Sequence, residues 1–283
     1  MSFKANAKIN LFLEVIGKRN DGYHDIVSVF ARISLCDKIR LEKNKRFETR
    51  IFVKNNVNMP DIELKDNLVW KAVKRFEERF GYKCGYDVYI EKNIPVGAGL
   101  GGGSSDCAAT LIALSKIYGI NKENIYPIAC ELGSDVAFFT RNSMLCAGTG
   151  RGEILKDIEL KARLPGLVIV FPDIYISSAK VYSSLNLNYN PDLKRFEVMI
   201  DAFKKEEDID FSHLLFNRLE EAAFMIEPKV ERLKKRMSEL GLVSMMSGSG
   251  SSVFGLSYST DLLDKAYDEL KKIYRFVFKA KFV

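Results

Sequence analysis

The segment Pro95–Cys107, PVGAGLGGGSSDC, constrains what this chain folds into more than any other stretch. Five glycines fall between Gly97 and Gly103, and Ser104, Ser105 and Asp106 follow them. Residues 86–91 (YDVYIE) before the segment alternate as a strand, and residues 105–118 after it read as a helix that stops at Gly119. Glycines cost backbone entropy, so this many in a row point to tight turning and close approach by another group. A strand that turns through glycines into a helix aims free backbone amides and the positive end of the helix dipole at one spot, which suits a phosphate. Ser104 and Ser105 add hydroxyls, as donors or as a metal contact, and Asp106 fits the first helical turn.

Three readings of the segment compete. The dinucleotide pattern G-x-G-x-x-G is present at Gly97, Gly99 and Gly102, but it needs a second strand ending in an acidic residue about 20 positions on. Here the chain runs through helix into Gly119-Ile120-Asn121-Lys122 instead. The Walker pattern fails because no Lys-Ser/Thr follows the glycines. A glycine turn with no ligand remains the plain alternative.

Around this loop the chain reads as an α+β protein. Strands are expected at 5–16, 26–35 and 37–42. A helix over 67–80 is capped by Asn67 and stopped by Gly81, and a short helix covers 123–131 before a break at Gly133-Ser134-Asp135. The text becomes charged and aperiodic around Arg151–Leu164, which sets a domain boundary near 155: an N-terminal domain over 1–155 and a C-terminal one over 156–283. The second half offers strands at 166–171, 242–246, 252–257 and 275–282, and helices at 178–184, 195–205, 213–225, 228–240 and 261–273. Each half mixes strands and helices.

Composition narrows the function classes. A net charge of +6 is spread along the chain, without the dense stripe or stacking aromatics of a nucleic-acid binder, and it suits a phosphorylated small substrate. Five cysteines at wide spacings form no C-x-x-C, and two histidines exclude a histidine-rich metal centre. The N-terminal apolar run is broken by polar residues and does not read as a signal peptide, and no run approaches the ~20 residues of a membrane span. A cytoplasmic protein is expected, without membrane or nucleic-acid partners, as a monomer or weak homodimer.

Phosphoryl transfer to an alcohol needs a held triphosphate, an activated hydroxyl and positive charge on the transferring group. Asp135, following Gly-Ser at a break, is the candidate general base, or else a cap of the next element. Lys8 lies in an otherwise apolar strand. It either meets an anion, stabilising Asp135 and the transferring phosphoryl group, or is a surface lysine on an edge. Asn10 shares its strand face, lining a site or bonding to backbone. Tyr23-His24 offers a stacking ring and an edge that can pair with a base, or is a structural turn. Lys92 reaches toward adenine or ribose, or is solvated. Ser247-Gly248-Ser249-Gly250-Ser251 is a second backbone surface open to close approach, or a tight turn.

The glycine segment, read as Pro95-Val96-Gly97-Ala98-Gly99-Leu100-Gly101-Gly102-Gly103-Ser104-Ser105, resembles the phosphate loop of the GHMP kinase superfamily, P-x-x-x-G-L-G-S/G-S-S. Ala7-Lys8-Ile9-Asn10-Leu11 resembles its N-terminal strand motif, and Met246–Phe254 (MSGSGSSVF) its C-terminal glycine motif. Within the superfamily, Gly17–His24 (GKRNDGYH) is similar to the G-x-R-x-D-G-Y-H of members that phosphorylate a cytidyl-tagged alcohol. Lys92-Asn93-Ile94-Pro95, Gly133–Val136 and Gly148–Glu153 are similar to the same members. Phe30-Ala31 departs mildly, where Phe-Gln is the pattern.

The resemblance implies a two-domain GHMP kinase fold, with a ribosomal S5 domain 2-like N-terminal domain and a ferredoxin-like C-terminal domain. It implies ATP and Mg²⁺ as cofactors, the latter without a named protein ligand. It implies phosphorylation of the 2-hydroxyl of a cytidyl-diphosphate-linked methylerythritol, a step of the non-mevalonate isoprenoid route. It makes Lys8 and Asp135 catalytic and makes Asn10, Tyr23, His24, Ser178 and Tyr182 substrate-binding, with Tyr182 as the second ring of a cytosine sandwich and Tyr175 as its competitor. Lys92 and the loop residues Pro95–Ser105 would bind the nucleotide. A mevalonate- or homoserine-type kinase and a non-catalytic nucleotide-binding relative are the rival readings.

Overall fold

The computed structural model describes residues 2–57, 63–83, 85–187 and 190–283, so Cys84 lies outside the described residues. The chain divides into two compact units. The first comprises Met1–Ala7, Cys36–Val96 and Gly101–Asn142, and the second Lys8–Leu35, Gly97–Leu100 and Ser143–Val283. The divisions fall inside two long strands, β1 (Ser2–Lys18) and β2 (His24–Lys43), and inside the glycine loop.

In the first unit, the end of β2 pairs antiparallel with β4 (Tyr86–Lys92), Ile39 opposite Ile90. Beyond it lies β3 (Arg50–Asn55), parallel to β4 with Ile51 opposite Val88. Between them runs α1 (Leu68–Phe80), which buries Val69, Ala72, Val73 and Phe76, the stripe that a 3.6-residue period puts on one face. Its ends are as the sequence predicts: the Asn67 side chain accepts from the Val69 amide, and Gly81 closes the helix in the left-handed region at φ 72°. The chain continues through α2 (Gly102–Tyr118), α3 (Lys122–Leu132) and α4 (Ser134–Thr140). α2 is buried on most sides, with Cys107, Ala108, Leu111 and Leu114 fully covered, and packs against α1, α3 and α4. Phe76 stands 5.6 Å from the Tyr118 ring, and Tyr118 stacks on Tyr82 at 4.2 Å.

In the second unit, the start of β2 pairs with β5 (Leu145–Thr149), and β5 with β6 (Ile154–Asp157), both antiparallel. β7 (Gly166–Phe171) is followed by α5 (Ser178–Ser183) and α6 (Lys194–Phe203). A two-residue strand, β8 (Phe216–Asn217), lies parallel to β1 with Phe12 opposite Phe216. Then come α7 (Leu219–Ile226), α8 (Pro228–Glu239), β9 (Val243–Met246), β10 (Val253–Ser257), α9 (Thr260–Lys271) and β11 (Phe276–Ala280). The last strands form an antiparallel sheet in the order β11-β7-β10-β9, with α8 and α9 packed on it through Val230, Leu233, Met237, Leu263, Ala266 and Leu270. β7 is central and buried from Leu167 to Phe171, which is why its sequence reads as a continuous apolar run.

Four expectations need correction. The strands expected at 26–35 and 37–42 are one strand, β2. The helix after the glycine loop begins at Gly102, three residues before the expected 105. The helix expected over 213–225 begins only at Leu219, because Phe216–Asn217 is spent on pairing with β1. The aperiodic stretch around 151–164 contains β6, an exposed strand whose pattern carries no apolar face. None of the four described cysteines is in a disulfide.

Replacing Asn67 with Ala removes the cap of α1 and should cost about 1 kcal/mol locally. Hydrogen exchange checks this: amides in the first turns of α1 should exchange faster, with those of β7 unchanged.

Candidate active site

The glycine loop alternates in backbone handedness. Gly97, Gly99 and Gly101 have φ of 65°, 77° and 69°, while Ala98 and Leu100 keep negative φ. Such alternation turns successive amides toward one concavity, an arrangement that holds anions. Gly101 is the N-cap residue of α2, so the concavity runs directly into the helix start, where the dipole adds positive potential. Gly103 is exposed there, Ser104 half-buried and Ser105 buried.

Within the second unit this loop packs backbone to backbone on the C-terminal glycine motif. A Cβ on Gly99 would stand 2.0 Å from the Ser247 carbonyl oxygen, so only glycine fits there. The Ser247 hydroxyl donates to the Gly99 carbonyl at 2.9 Å, and the Ser252 amide to the Ala98 carbonyl at 3.1 Å. Asn217, at the end of β8, donates through Nδ2 to the carbonyls of Met246 and Gly248, both at 2.8 Å. The motif is therefore a fixed surface rather than a loose turn. Ser178, the first residue of α5, meets it through a 2.6 Å contact with the Ser249 hydroxyl.

Lys8 and Asn10 lie against the same surface. β1 is buried on both faces, and Lys8, Asn10 and Glu14 point the same way along it. The Lys8 ammonium donates to Asn10 Oδ1 at 2.7 Å and sits 5.7 Å from the Phe30 ring centre. Asn10 Nδ2 donates to the Ser28 hydroxyl at 2.8 Å, which donates to the Phe12 carbonyl at 2.7 Å. The Lys8 amide donates to the Leu100 carbonyl at 3.0 Å, tying β1 to the loop. A Cβ on Gly248 would stand 3.3 Å from Lys8 Nζ. Lys8 is thus a buried cation beside two glycine segments, not an edge lysine. Glu14 closes the strand's far end by a bidentate pair with Arg218 at 2.8 and 2.9 Å.

The turn Arg19–His24 is held by its own charges. The Arg19 guanidinium donates to both oxygens of Asp21 at 3.1–3.2 Å and to Asp25 at 2.8 Å, and the Arg19 amide donates to the Tyr23 carbonyl at 2.8 Å. Tyr182 stacks on His24 at 5.1 Å and 27°, while the exposed Tyr23 ring is covered by the Arg151 guanidinium at 4.9 Å. Tyr175, the competitor, lies elsewhere, edge-on to Phe171 at 5.6 Å and beside Gly97. Burial, with the nearby Lys18 charge, pushes the His24 imidazole below its ordinary range, which keeps it neutral at pH 7 and able both to donate and to accept.

In the first unit, Asp135 occupies the first turn of α4, half-buried, after Gly133. Lys92 is buried rather than solvated. Its buried ammonium is paired with Asp37 and, at 2.7 Å, with Asp106 of α2. Asp37 in turn accepts from the amides of Asn93 at 2.5 Å and Ile94 at 2.8 Å. Asp106, expected in the first helical turn, lies one turn further in, because α2 begins at Gly102. It is buried, with Oδ1 left without a hydrogen-bond partner. Burial pushes its carboxyl up to about 8, Lys92 opposes that and Asp37 adds to it. Sequence reading missed Asp37, Ser28 and Asn217. An acidic residue inside the apolar run of β2 was the available signal for the first, and the other two carried none.

Comparison with known proteins fits this geometry. Residues 67–143 match the GHMP kinases N terminal domain and residues 199–275 the GHMP kinases C terminal family. The fold is therefore the α+β, two-domain GHMP kinase fold. A mevalonate kinase crystal structure, 16% identical, shares it with a TM-score of 0.73 over 100% of this chain and 99% of that one. A 4-diphosphocytidyl-2-C-methyl-D-erythritol kinase from Bacillus cytotoxicus is 39% identical over 95% of this chain and 92% of its own length, and one from Caldanaerobacter subterraneus subsp. tengcongensis is 37% identical over 98% and 95%. A crystal structure of 4-(cytidine 5'-diphospho)-2C-methyl-D-erythritol kinase aligns with a TM-score of 0.81 at 32% identity, over 99% of this chain and 98% of that one. The chain belongs to the 4-diphosphocytidyl-2-C-methyl-D-erythritol kinase family.

The Asp106 environment yields a test. A carboxyl that ionises near 4 when unfolded and near 8 when folded binds more protons in the native state between those values, so stability falls as pH rises from about 4 to about 8. Asp106→Asn removes that term while Lys92, Asp37 and the neighbouring Cys107 thiol remain. The Tm of the variant relative to wild type should rise steadily from pH 5 to pH 8, as measured by thermal unfolding in matched buffers.

Proposed function

We propose that this chain transfers the γ-phosphoryl group of ATP to the 2-hydroxyl of 4-diphosphocytidyl-2-C-methyl-D-erythritol, releasing ADP, in the non-mevalonate supply of isoprenoid precursors. The observation that carries the reading is the backbone packing of Gly97–Leu100 on Ser247–Ser252 with the Lys8 ammonium beside it. A phosphate-holding backbone and a buried cation are the parts that phosphoryl transfer demands of a protein.

The amides of Pro95–Ser105 hold the triphosphate. Lys8, oriented by Asn10, balances charge on the transferring group. Asp135 takes the proton of the attacking hydroxyl. Tyr23, His24, Tyr182 and Ser178 hold the cytidyl substrate, the stacked His24–Tyr182 pair offering an aromatic face to the base. Mg²⁺ bound with ATP would supply charge neutralisation on the phosphates. Among the described residues no group of three or more His, Cys, Asp or Glu side chains is arranged to hold a metal ion. Ser104 is the loop hydroxyl that would join it. No helix among the described residues is long and apolar enough to cross a membrane. We place the enzyme in the cytoplasm, where ATP is supplied, as a monomer or weak homodimer, with its N-terminal domain ending near residue 155.

ADP release measured with the cytidyl substrate, mevalonate and homoserine in turn should occur only with the first. Turnover of either of the others without the first would contradict the assignment. Asp135→Asn should lower kcat by at least about 10²-fold with little change in KM for ATP, checked by steady-state kinetics. An unchanged kcat would remove Asp135 from the mechanism.

A further inference from the structure

The most heavily buried ionic cluster in the first unit is not one of the groups that phosphoryl transfer requires. Lys92, Asp37 and Asp106 have side chains at most 5% exposed, and burying three ionisable groups together is costly unless the arrangement serves a purpose. Their hydrogen bonds show where they pull. Asp37 holds the amides of Asn93 and Ile94, the two residues that lead from β4 into the glycine loop. The Asn93 side chain adds a donor bond to the Cys36 carbonyl at 3.0 Å, next to Asp37 on β2. Asp106 lies one helical turn into α2, on the far side of the loop, and is held by the same Lys92 ammonium that binds Asp37.

The space around the cluster is closed as well. A Cβ on Gly102, the first residue of α2, would stand 3.3 Å from Lys92 Nζ and 2.9 Å from Ile94 Cγ2. The helix therefore starts pressed against the cluster, and the glycine there serves close approach to protein rather than to a ligand.

We infer that Asp37, Lys92 and Asp106 are positioning residues that clasp the two stems of the glycine loop and so fix the loop for nucleotide binding. The inference rests on the reading of that loop as the ATP site. One ammonium bridging a carboxyl group on each stem makes the distance between the stems a fixed quantity. The loop itself is too rich in glycine to fix it, because glycine removes the steric restrictions that stiffen a chain. Displacements of about 1 Å in a binding or catalytic element cost up to ~10²-fold, so the clasp acts on affinity without touching the ligand. Lys92 thus enters nucleotide binding through the backbone it anchors rather than as a contact to adenine or ribose.

The test separates this role from general stability. In the double variant Lys92→Met/Asp106→Leu, the bridge is replaced by apolar groups of similar size, while Asp37 keeps the Asn93 and Ile94 amides as its partners. Its Kd for ATP, by calorimetry, should weaken at least about tenfold, with KM for the cytidyl substrate within about twofold of wild type. Asp106→Asn, which keeps the shape and an acceptor for Lys92, should lose only about threefold. Unchanged ATP affinity in the folded double variant would overturn the inference, as would equal losses for both ligands. If the double variant does not fold, Asp106→Asn decides alone: selective weakening toward ATP supports the clasp, and none overturns it. Wild-type protein that fails to bind ATP at all would count against the proposed function instead.

Discussion

The contact between the Gly99 backbone and the Ser247 carbonyl is the constraint on which the glycine surface of the second unit depends. Two segments 148 residues apart in sequence meet with no room for a side-chain carbon between them. Everything polar nearby is arranged around that contact. Asn217 holds the Met246 and Gly248 carbonyls in place, Ser247 and Ser252 bond back to the loop, and the Lys8 amide ties β1 to Leu100. With the backbone fixed by such short, mutual bonds, the amides of the loop keep their orientation before any ligand arrives. That preorganisation makes oriented dipoles effective toward a transferring phosphoryl group.

The first unit reaches the same end by a different route. Its loop stems are held by buried charge instead of by close backbone packing. Asp37 and Asp106 would each be a liability alone in an apolar interior, and one Lys92 ammonium satisfies both in part. The unsatisfied Asp106 oxygen is the residue of that compromise. In the second unit the Arg19–Asp21–Asp25 group works in the opposite regime. It is exposed, so its strength comes from the forked geometry of the guanidinium rather than from burial.

Much of this was legible in the sequence where local rules decide the outcome. Asn67 and Gly81 bound α1 because a side-chain cap and a left-handed glycine need no tertiary context. Gly166–Phe171 is a strand because a strand covered on both faces must be apolar throughout. The loop and its following helix were visible, but the helix start was not, since Gly102 and Gly103 lower helix propensity and Gly102 is held in place by packing against Ile94 and Lys92. Asp37 hid the continuity of β2: an acid in mid-strand looks like a break until its partners are known. Phe216–Asn217 looked helical because two residues of parallel pairing leave no periodic trace. The pairing of Lys92 was not legible, because spacing cannot show that two carboxyl groups from distant segments converge on it. The ring pairing of His24 with Tyr182, and of Tyr23 with Arg151, likewise depends on where α5 and the β5–β6 turn come to lie.

The most direct measurement is hydrogen exchange of the wild-type chain with and without a non-hydrolysable ATP analogue and Mg²⁺. A loop that holds the phosphates through its backbone predicts slowed exchange at the amides of Gly97–Ser105, with Tyr23 and His24 unchanged until the cytidyl substrate is added. Saturating nucleotide that leaves Gly97–Ser105 unprotected, while slowing exchange at another segment, would contradict it.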